Sequence, residues 1–237
     1  SFNASYWHWY YDKLDPVYSA QDPRKAKGER YDKFFMTDWV HDNDGNIVHQ
    51  AGLPVKNNFQ TVMGYKDPKV YLGFTSRLTY KNLSLNVSLD GRIGGLMYSW
   101  TAQAMWQSGA HPDSDNKWRY DEVVNHKLNY IGKGSKVVSG TATFDPYGKV
   151  LSDNRVFAPN DVAVSYQSYT TVYNENPWDH QARQNIKDAS FIKLREIALN
   201  YTLPTEWAHK LLMKNAVIGF VGQNLFMWTK EFKFSDP

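Results

Sequence analysis

The stretch DASFIKLREIALNYTLP, residues 188–204, followed after ten residues by NAVIGFVGQNLFMWTK, residues 215–230, decides the fold. Each half reads as one long extended strand. In the first, Ile197, Leu199 and Tyr201 alternate with Ala198, Asn200 and Thr202, the period-2 pattern of a sheet with unlike faces. Lys193 and Arg195 share the parity of the apolar trio. Either they stand beyond the apolar zone, or a bulge switches parity before them. The first strand closes on Leu203-Pro204. The second carries Gly222-Gln223-Asn224-Leu225-Phe226, with Trp228 just beyond. Between them, residues 205–212 (TEWAHKLL) read as a short helical turn with Thr205 as its cap and Trp207 at an interface.

The same alternation is cleanest at residues 70–95. Leu72, Phe74, Leu78 and Tyr80 oppose Thr75, Arg77 and Thr79. After a Lys81-Asn82 turn, Leu83, Leu85, Val87 and Leu89 oppose Ser84, Asn86, Ser88 and Asp90. Both strands run to about ten residues, longer than the usual ~5–6 of a globular strand and matched to the ~9–11 of a membrane-spanning one. Residues 2–11 and 31–40 read as further strands, and 41–58 as a loop.

Composition narrows the classes. Of 237 residues 16% are aromatic, yet mean hydropathy is −0.60. That combination suits a membrane barrel with aromatic girdles or a soluble carbohydrate-binding β-protein, and composition does not separate them. No run approaches the ~20 apolar residues of a transmembrane helix. The net charge of +3 is scattered, so no basic stripe points to nucleic acid. Cysteine is absent, which removes disulfides, thiolate metal sites and thiol nucleophiles. No secretory leader opens the chain and no natural stop closes it, so a piece of a longer protein is expected.

Residues 96–188 are too many for a plain connection and read as a folded loop region. Residues 96–107 and 118–130 are helical in spacing, the latter ended by Gly132 and Gly134. Residues 137–143 and 149–157 flank an Asp145-Pro146-Tyr147-Gly148 turn. Residues 162–172 read as a short strand. Its aromatics and neighbours, Trp100, Trp106, Trp118, Tyr120, Tyr166 and Trp178 with Asp153 and Arg155, form the candidate solute-contact set: flat rings stack on sugars or peptides. For any single ring, packing in the region's own core is the commoner role.

No catalytic or metal motif survives inspection. Asp42-Asn43-Asp44-Gly45 lacks the outer ligands of a calcium loop and reads as a turn. Gly132-Lys133-Gly134-Ser135 breaks the phosphate-loop spacing and reads as a flexible loop. The histidines never reach zinc-site spacing, with His8, His111, His126, His180 and His209 expected at the surface. Asp121/Glu122 and Glu175/Asp179 are weak candidates for a glycosidase pair. No enzyme and no cofactor is expected.

The closing strands, the hairpin Gly73-Phe74-Thr75 through Tyr80-Lys81-Asn82-Leu83-Ser84-Leu85, the strand end Asp90-Gly91-Arg92-Ile93-Gly94-Gly95 and the runs Phe191-Ile192-Lys193-Leu194-Arg195 and Gln223-Asn224-Leu225-Phe226 resemble, in order and spacing, the SusC/RagA-like family, TonB-dependent outer-membrane importers of Bacteroidetes. The resemblance implies an all-β fold: the C-terminal part of a 22-stranded, plugged, antiparallel transmembrane β-barrel spanning residues 1–237, with 96–188 as an extracellular loop region. It implies a plug and a TonB box beyond this segment, a SusD-like surface lipoprotein as lid, TonB as energy source, and import of oligosaccharides, or alternatively peptides, without covalent chemistry. Arg77, Asn86, Ser88 and Asp90 would then face the lumen, and Leu85, Val87 and Leu199 the lipid. A barrel arc leaves two strand edges unpaired, so the segment is not expected to fold alone. The competing class, a soluble β-sandwich carbohydrate-binding module, requires a second sheet sealing that apolar face.

Overall fold

The computed structural model describes residues 1–17, 22–175 and 183–237. In chain order the strands are β1 (Phe2–Ser5), β2 (Lys33–Trp39), β3 (Val48–Gln50), β4 (Leu53–Pro54), β5 (Lys56–Tyr65), β6 (Val70–Tyr80), β7 (Leu83–Ile93), β8 (Leu96–Tyr98), β9 (Ser135–Ser139), β10 (Ala142–Phe144), β11 (Val150–Asp153), β12 (Val156–Pro159), β13 (Ile186–Asp188), β14 (Phe191–Thr202) and β15 (Val217–Thr229). The α-helices are α1 (Trp100–Gln107), α2 (Lys117–Asn125), α3 (Tyr166–Thr170) and α4 (Thr205–Lys210).

The chain divides into two compact units. The first contains residues 1–9, 66–97 and 188–237, and the second residues 10–65 and 98–187. The second therefore joins the candidate loop region to a segment that the sequence left as separate strands and loops.

In the first unit five strands form one antiparallel sheet in the order β1-β6-β7-β14-β15. The β6–β7 register is unbroken from Val70↔Ile93 to Tyr80↔Leu83, so the two alternating patterns fall in phase. Leu85 pairs with Leu199 and Val87 with Ile197; Leu199 in turn pairs with Phe220 and Tyr201 with Ile218. Within this unit no second sheet covers this face. Leu85 and Val87 are half-exposed, Leu199 is 39% exposed, Leu78 62% and Phe220 75%. The sandwich alternative needs these side chains sealed by a second sheet, and the first unit itself supplies none. Helix α4 follows β14 directly, but its N-cap is Pro204 with no side-chain cap bond, so Thr205 is its first helical residue and not its cap.

The second unit is built from short pieces: a β2–β5 antiparallel pair, a four-stranded sheet in the order β12-β9-β3-β4, the β10–β11 hairpin and helices α1–α3. Within that sheet β3 and β9 run parallel, an exception to the all-antiparallel expectation. Several local readings are corrected here. Residues 41–58, read as a loop, contain β3, β4 and the start of β5. Helix α2 ends at Asn125, where His126 takes the left-handed conformation (φ 52°), well before Gly132. Residues 162–172, read as a strand, are instead α3 running into a π-helical turn at Thr171–Glu175. Their tyrosines 166, 169 and 173 recur at helical spacing (i, i+3, i+7) and share one buried face.

That face nucleates the unit's core. Trp39 stacks on Tyr173 (ring centroids 5.9 Å apart, 8° between planes) and Tyr173 on Tyr169 (5.5 Å, 26°). Tyr130 then meets Tyr169 at 4.7 Å and Tyr166 at 5.2 Å, both edge-on. Such pairs add about 0.5–1.5 kcal/mol each beyond area burial. Gly132 and Gly134 belong to this core: a Cβ on Gly132 would lie 2.3 Å from the Tyr169 ring, and one on Gly134 2.1 Å from the Ile47 carbonyl oxygen. The Gly132–Ser135 run, read as a flexible loop, is a close backbone approach that only glycine permits.

Candidate functional site

Two features of the structure bear on function: the unlike faces of the long sheet, and the cavities of the second unit. On the sheet, one face gathers Leu72, Phe74, Leu78, Leu83, Leu85, Val87 and Leu89 from the β6–β7 hairpin and Ile197, Leu199, Tyr201, Ile218 and Phe220 from β14–β15. Ser76 is the one polar side chain on the hairpin's share of this face. The opposite face carries Thr75, Arg77, Thr79, Ser84, Asn86, Ser88 and Asp90, continued on β14 by Glu196, Ala198, Asn200 and Thr202 and on β15 by Val217, Val221, Gln223 and Met227.

The basic pair of β14 is resolved by a bulge. The register shifts between Leu194 and Glu196 against both neighbours, so Leu194 pairs with Leu89 on the apolar face while Lys193 pairs with Asp90 on the polar one. Arg195 is the extra residue. Its Nε and Nη2 donate to the two Asp90 carboxylate oxygens at 2.6 and 2.8 Å, a bidentate fork drawn to the polar side. Lys193, 6% exposed, is ion-paired with Asp236. Thus neither cation lies among the apolar side chains. Of the candidate lumen residues, Arg77 and Asn86 are direct cross-strand partners. With Ser88 and Glu196 they line one hollow of about 380 Å³. Asp90 is committed to Arg195.

The candidate solute-contact residues do not converge on one site. Trp100 (56% exposed) and Tyr120 (61%) stand at the surface. Trp118 packs edge-on against Tyr130 at 5.3 Å, joining the aromatic core. Trp178, with Asp179 and His180, lies outside the described residues. Trp106 and Tyr166 line one cleft of about 570 Å³, whereas Arg155 lines a different cavity of about 450 Å³. That second cavity is walled by valines 40, 48, 55, 137 and 162 with Phe144, and carries Lys136 as well. Asp153 holds Arg155 through two side-chain bonds of 2.9 and 2.7 Å, and the guanidinium keeps the Asp153 carboxyl down at about 2. Arg155 also lies over Phe157 at 5.0 Å. Lys136 is paired with Asp161 at 2.5 Å.

The weak acid pairs have structural duties. Asp121 accepts from Asn125 and Asn129 side chains. Glu122 accepts from Ser165 Oγ (2.6 Å) and Gln167 N (3.0 Å), which fastens α2 to the start of α3. Asp42 closes its own turn by accepting from Asp44 N and Asn46 N, and the Asp145–Gly148 turn forms with Gly148 N donating to the Asp145 carbonyl. His111, expected at the surface, is half-buried beneath Trp106.

Sequence reasoning missed His49 altogether. It is 2% exposed and stacked on Tyr169. Its Nδ1 lies 3.0 Å from the Ile47 carbonyl and 3.3 Å from that of Ser135, and its Nε2 lies 3.3 Å from the Tyr169 hydroxyl. A neutral ring protonated at Nδ1 satisfies all three. Burial pushes its pKa below the ordinary histidine value and lifts the Tyr169 phenol above its own. Nothing in the local sequence of His49 marks it; only the helical spacing of the three tyrosines points toward its partner.

No family model matches the chain. Two solved structures, the RagAB peptide importer in the 'open-open' state and the RagAB peptide transporter, align with TM-scores of 0.47 and 0.44 and with 17% and 15% identity. Each covers 86% of this chain, which corresponds to 19% and 20% of the solved chains. Among curated proteins, the chain is similar to the TonB-dependent receptor P26 of Formosa agariphila, 22% identical over 217 residues. The match takes in 92% of this chain, and the chain spans 17% of that receptor's length.

Proposed function

We propose that this chain is a stretch of barrel wall with its external loops from an outer-membrane, TonB-dependent importer of oligosaccharides. The observation that carries the reading is the two-faced sheet. Across β6, β7 and β14, long antiparallel strands present an uncovered, almost wholly apolar face on one side and a mainly hydroxyl-, amide- and charge-bearing face on the other, and a bulge keeps both basic residues of β14 off the apolar face. Hydrocarbon tails solvate the first face and the aqueous lumen the second. No described helix is long and apolar enough to cross a membrane.

In this reading Arg77, Asn86, Ser88 and Asp90 form part of the lumen wall, and the 96–188 region, together with residues 10–65, lies outside the membrane. A SusD-like lipoprotein closes over the mouth, TonB drives release through the rest of the protein, and solute passes without covalent chemistry. The aliphatic cavity beside Arg155 and Lys136 favours a second reading, peptide import, because valine walls suit aliphatic side chains better than sugars.

The test uses the complete protein in its own cells. Labelled oligosaccharides should enter at a rate abolished by removing the protonmotive force or TonB, and the protein should fractionate with the outer membrane. Recovery in the aqueous extract without detergent, or uptake indifferent to TonB, overturns the reading. Uptake of peptides in preference to oligosaccharides selects the second.

A further inference from the structure

The structure assigns a ligand-binding role to the cleft between the end of α1, one face of α2 and the start of α3: we propose that it binds oligosaccharides bearing an acidic group, a carboxylate or sulfate ester, with Arg119 as the anion contact and Trp106 as the stacking plate. This deepens, and rests on, the oligosaccharide-import reading.

The frame of the cleft is braced by bonds that leave its functional groups free. Asn116 caps α2 by accepting from Trp118 N and Arg119 N, and its amide donates to the Tyr166 hydroxyl at 2.7 Å. Glu122, which also lines the cleft, accepts at both carboxylate oxygens from Ser165 and Gln167 N and so braces the α2–α3 junction. Trp106 is half-buried, its indole parallel to the His111 ring at 4.4 Å and 12°. An imidazole supports one face of the plate, and Trp106 also lines the cleft.

Arg119 is the telling residue. The other described arginines of this unit, Arg24, Arg30, Arg155 and Arg183, each hold an aspartate. Arg119 has no carboxylate partner among the described residues. Its Nη1 donates at 2.9 Å to both the Gly109 carbonyl and Ser114 Oγ. Those bonds fix the plane of the guanidinium and leave the Nε–Nη2 edge without an acceptor among the described residues. A fixed fork of two N–H groups in a cleft matches a carboxylate or sulfate bidentately. Around it stand the side chains of Gln107, Gln167 and Thr171, which have no partner among the described residues and can serve ring hydroxyls in either direction. Val123 is the only aliphatic branched lining residue, so the cleft offers little to the aliphatic side chains of a peptide.

The complete transporter, purified in detergent, would be titrated calorimetrically with three tetrasaccharides: an oligogalacturonate, a sulfated galactan fragment and cellotetraose as the neutral control. Arg119→Gln should weaken binding of at least one acidic probe about tenfold or more, the loss of a charged bidentate contact, and flatten its salt dependence, while leaving cellotetraose within twofold. Gln107→Ala, which breaks no side-chain bond among the described residues, should weaken every probe that binds. Which acidic probe responds identifies carboxylate or sulfate as the group. Equal wild-type affinity for acidic and neutral probes, or acidic binding untouched by Arg119→Gln, overturns the assignment. If TonB-dependent oligosaccharide uptake persists in those circumstances, the cleft assignment alone falls; if the complete protein imports no oligosaccharide, the import reading falls with it.

Discussion

Val87 and Ser88 are the fifth and sixth of the eleven residues of β7. Eleven residues at ~3.3 Å rise give ~36 Å, and a tilt of ~45° reduces that to ~26 Å, the height of a barrel's apolar band. Both residues therefore sit near its midplane, on opposite faces. Val87 lies between Ser76 and Ile197, and Ser88 between Thr75 and Glu196. An arginine on the lipid face at that depth costs about 2–4 kcal/mol, whereas a lumen substitution costs little, and Glu196 supplies a counter-charge beside position 88. If water instead bathed the apolar face, Val87→Arg would stay within about ±0.5 kcal/mol, the ordinary range for surface changes. The assay is guanidinium unfolding of the complete protein folded into phosphatidylcholine vesicles, followed by tryptophan fluorescence, for Val87→Arg and Ser88→Arg side by side. A gap of 2 kcal/mol or more between the two is expected. Equal costs at both positions would refute the assignment of the faces.

Other consequences concern the second unit. Gly132→Ala places a Cβ 2.3 Å from the Tyr169 ring and 2.7 Å from His49 Nε2, so overpacking should cost about 1–3 kcal/mol, read as faster trypsin cleavage within residues 98–187 of the complete protein. Asn116→Ala removes a helix cap and the donor to Tyr166, a loss of about 1–2 kcal/mol; Asn116→Asp, which keeps the cap but not the amide donor, should fall between the two in thermal unfolding of the same unit. His49 is neutral in the fold with its pKa held below the ordinary value. The unfolded chain then binds the extra proton first, so stability is present above the ordinary histidine pKa of ~6.5 and is lost as pH falls through it. Near-UV dichroism should therefore melt at lower temperature at pH 5.5 than at pH 7.5, and His49→Gln should shrink that difference; an unchanged pH dependence in the variant would count against His49 as its source.

Legibility differed between the two units for a physical reason. In the long sheet every side chain answers to one of two environments, so period-2 alternation alone located β6 and β7 within a residue or two and put Arg77, Asn86, Ser88 and Asp90 on one face. Even the clash of Lys193 and Arg195 with that pattern pointed to one of two remedies, a place beyond the apolar zone or a bulge, though not to the bulge at Arg195 or to the Asp90 partner, which lies 105 residues away. In the second unit strands of two to five residues predominate, too short for a period to show, and their pairing is set by distant segments. His49 meets Tyr169 across 120 residues. The glycines at 132 and 134, which look like slack in the sequence, are dictated by rings that arrive from elsewhere in the chain.

The aromatic content of this chain consequently has two explanations that composition blends into one figure. On the sheet, rings such as Phe74, Phe220 and Trp228 are exposed side chains of an uncovered face. In the second unit Trp39, Tyr166 and Tyr169 are each at most 8% exposed and locked into ring contacts that substitute for the large aliphatic core its short elements cannot assemble, in a chain with no cysteine to staple them. A ring spent on core packing offers no face to a solute. Of the described aromatics first singled out for solute contact, Trp118 and Tyr166 are consumed in this way, which leaves Trp100, Trp106 and Tyr120. Among those three, Trp106 has its plane fixed by a parallel ring and shares a cleft with an arginine that holds no carboxylate among the described residues. Preorganisation, more than aromatic abundance, separates a stacking plate from an exposed ring, and by that criterion the proposed recognition chemistry concentrates at Trp106 and Arg119.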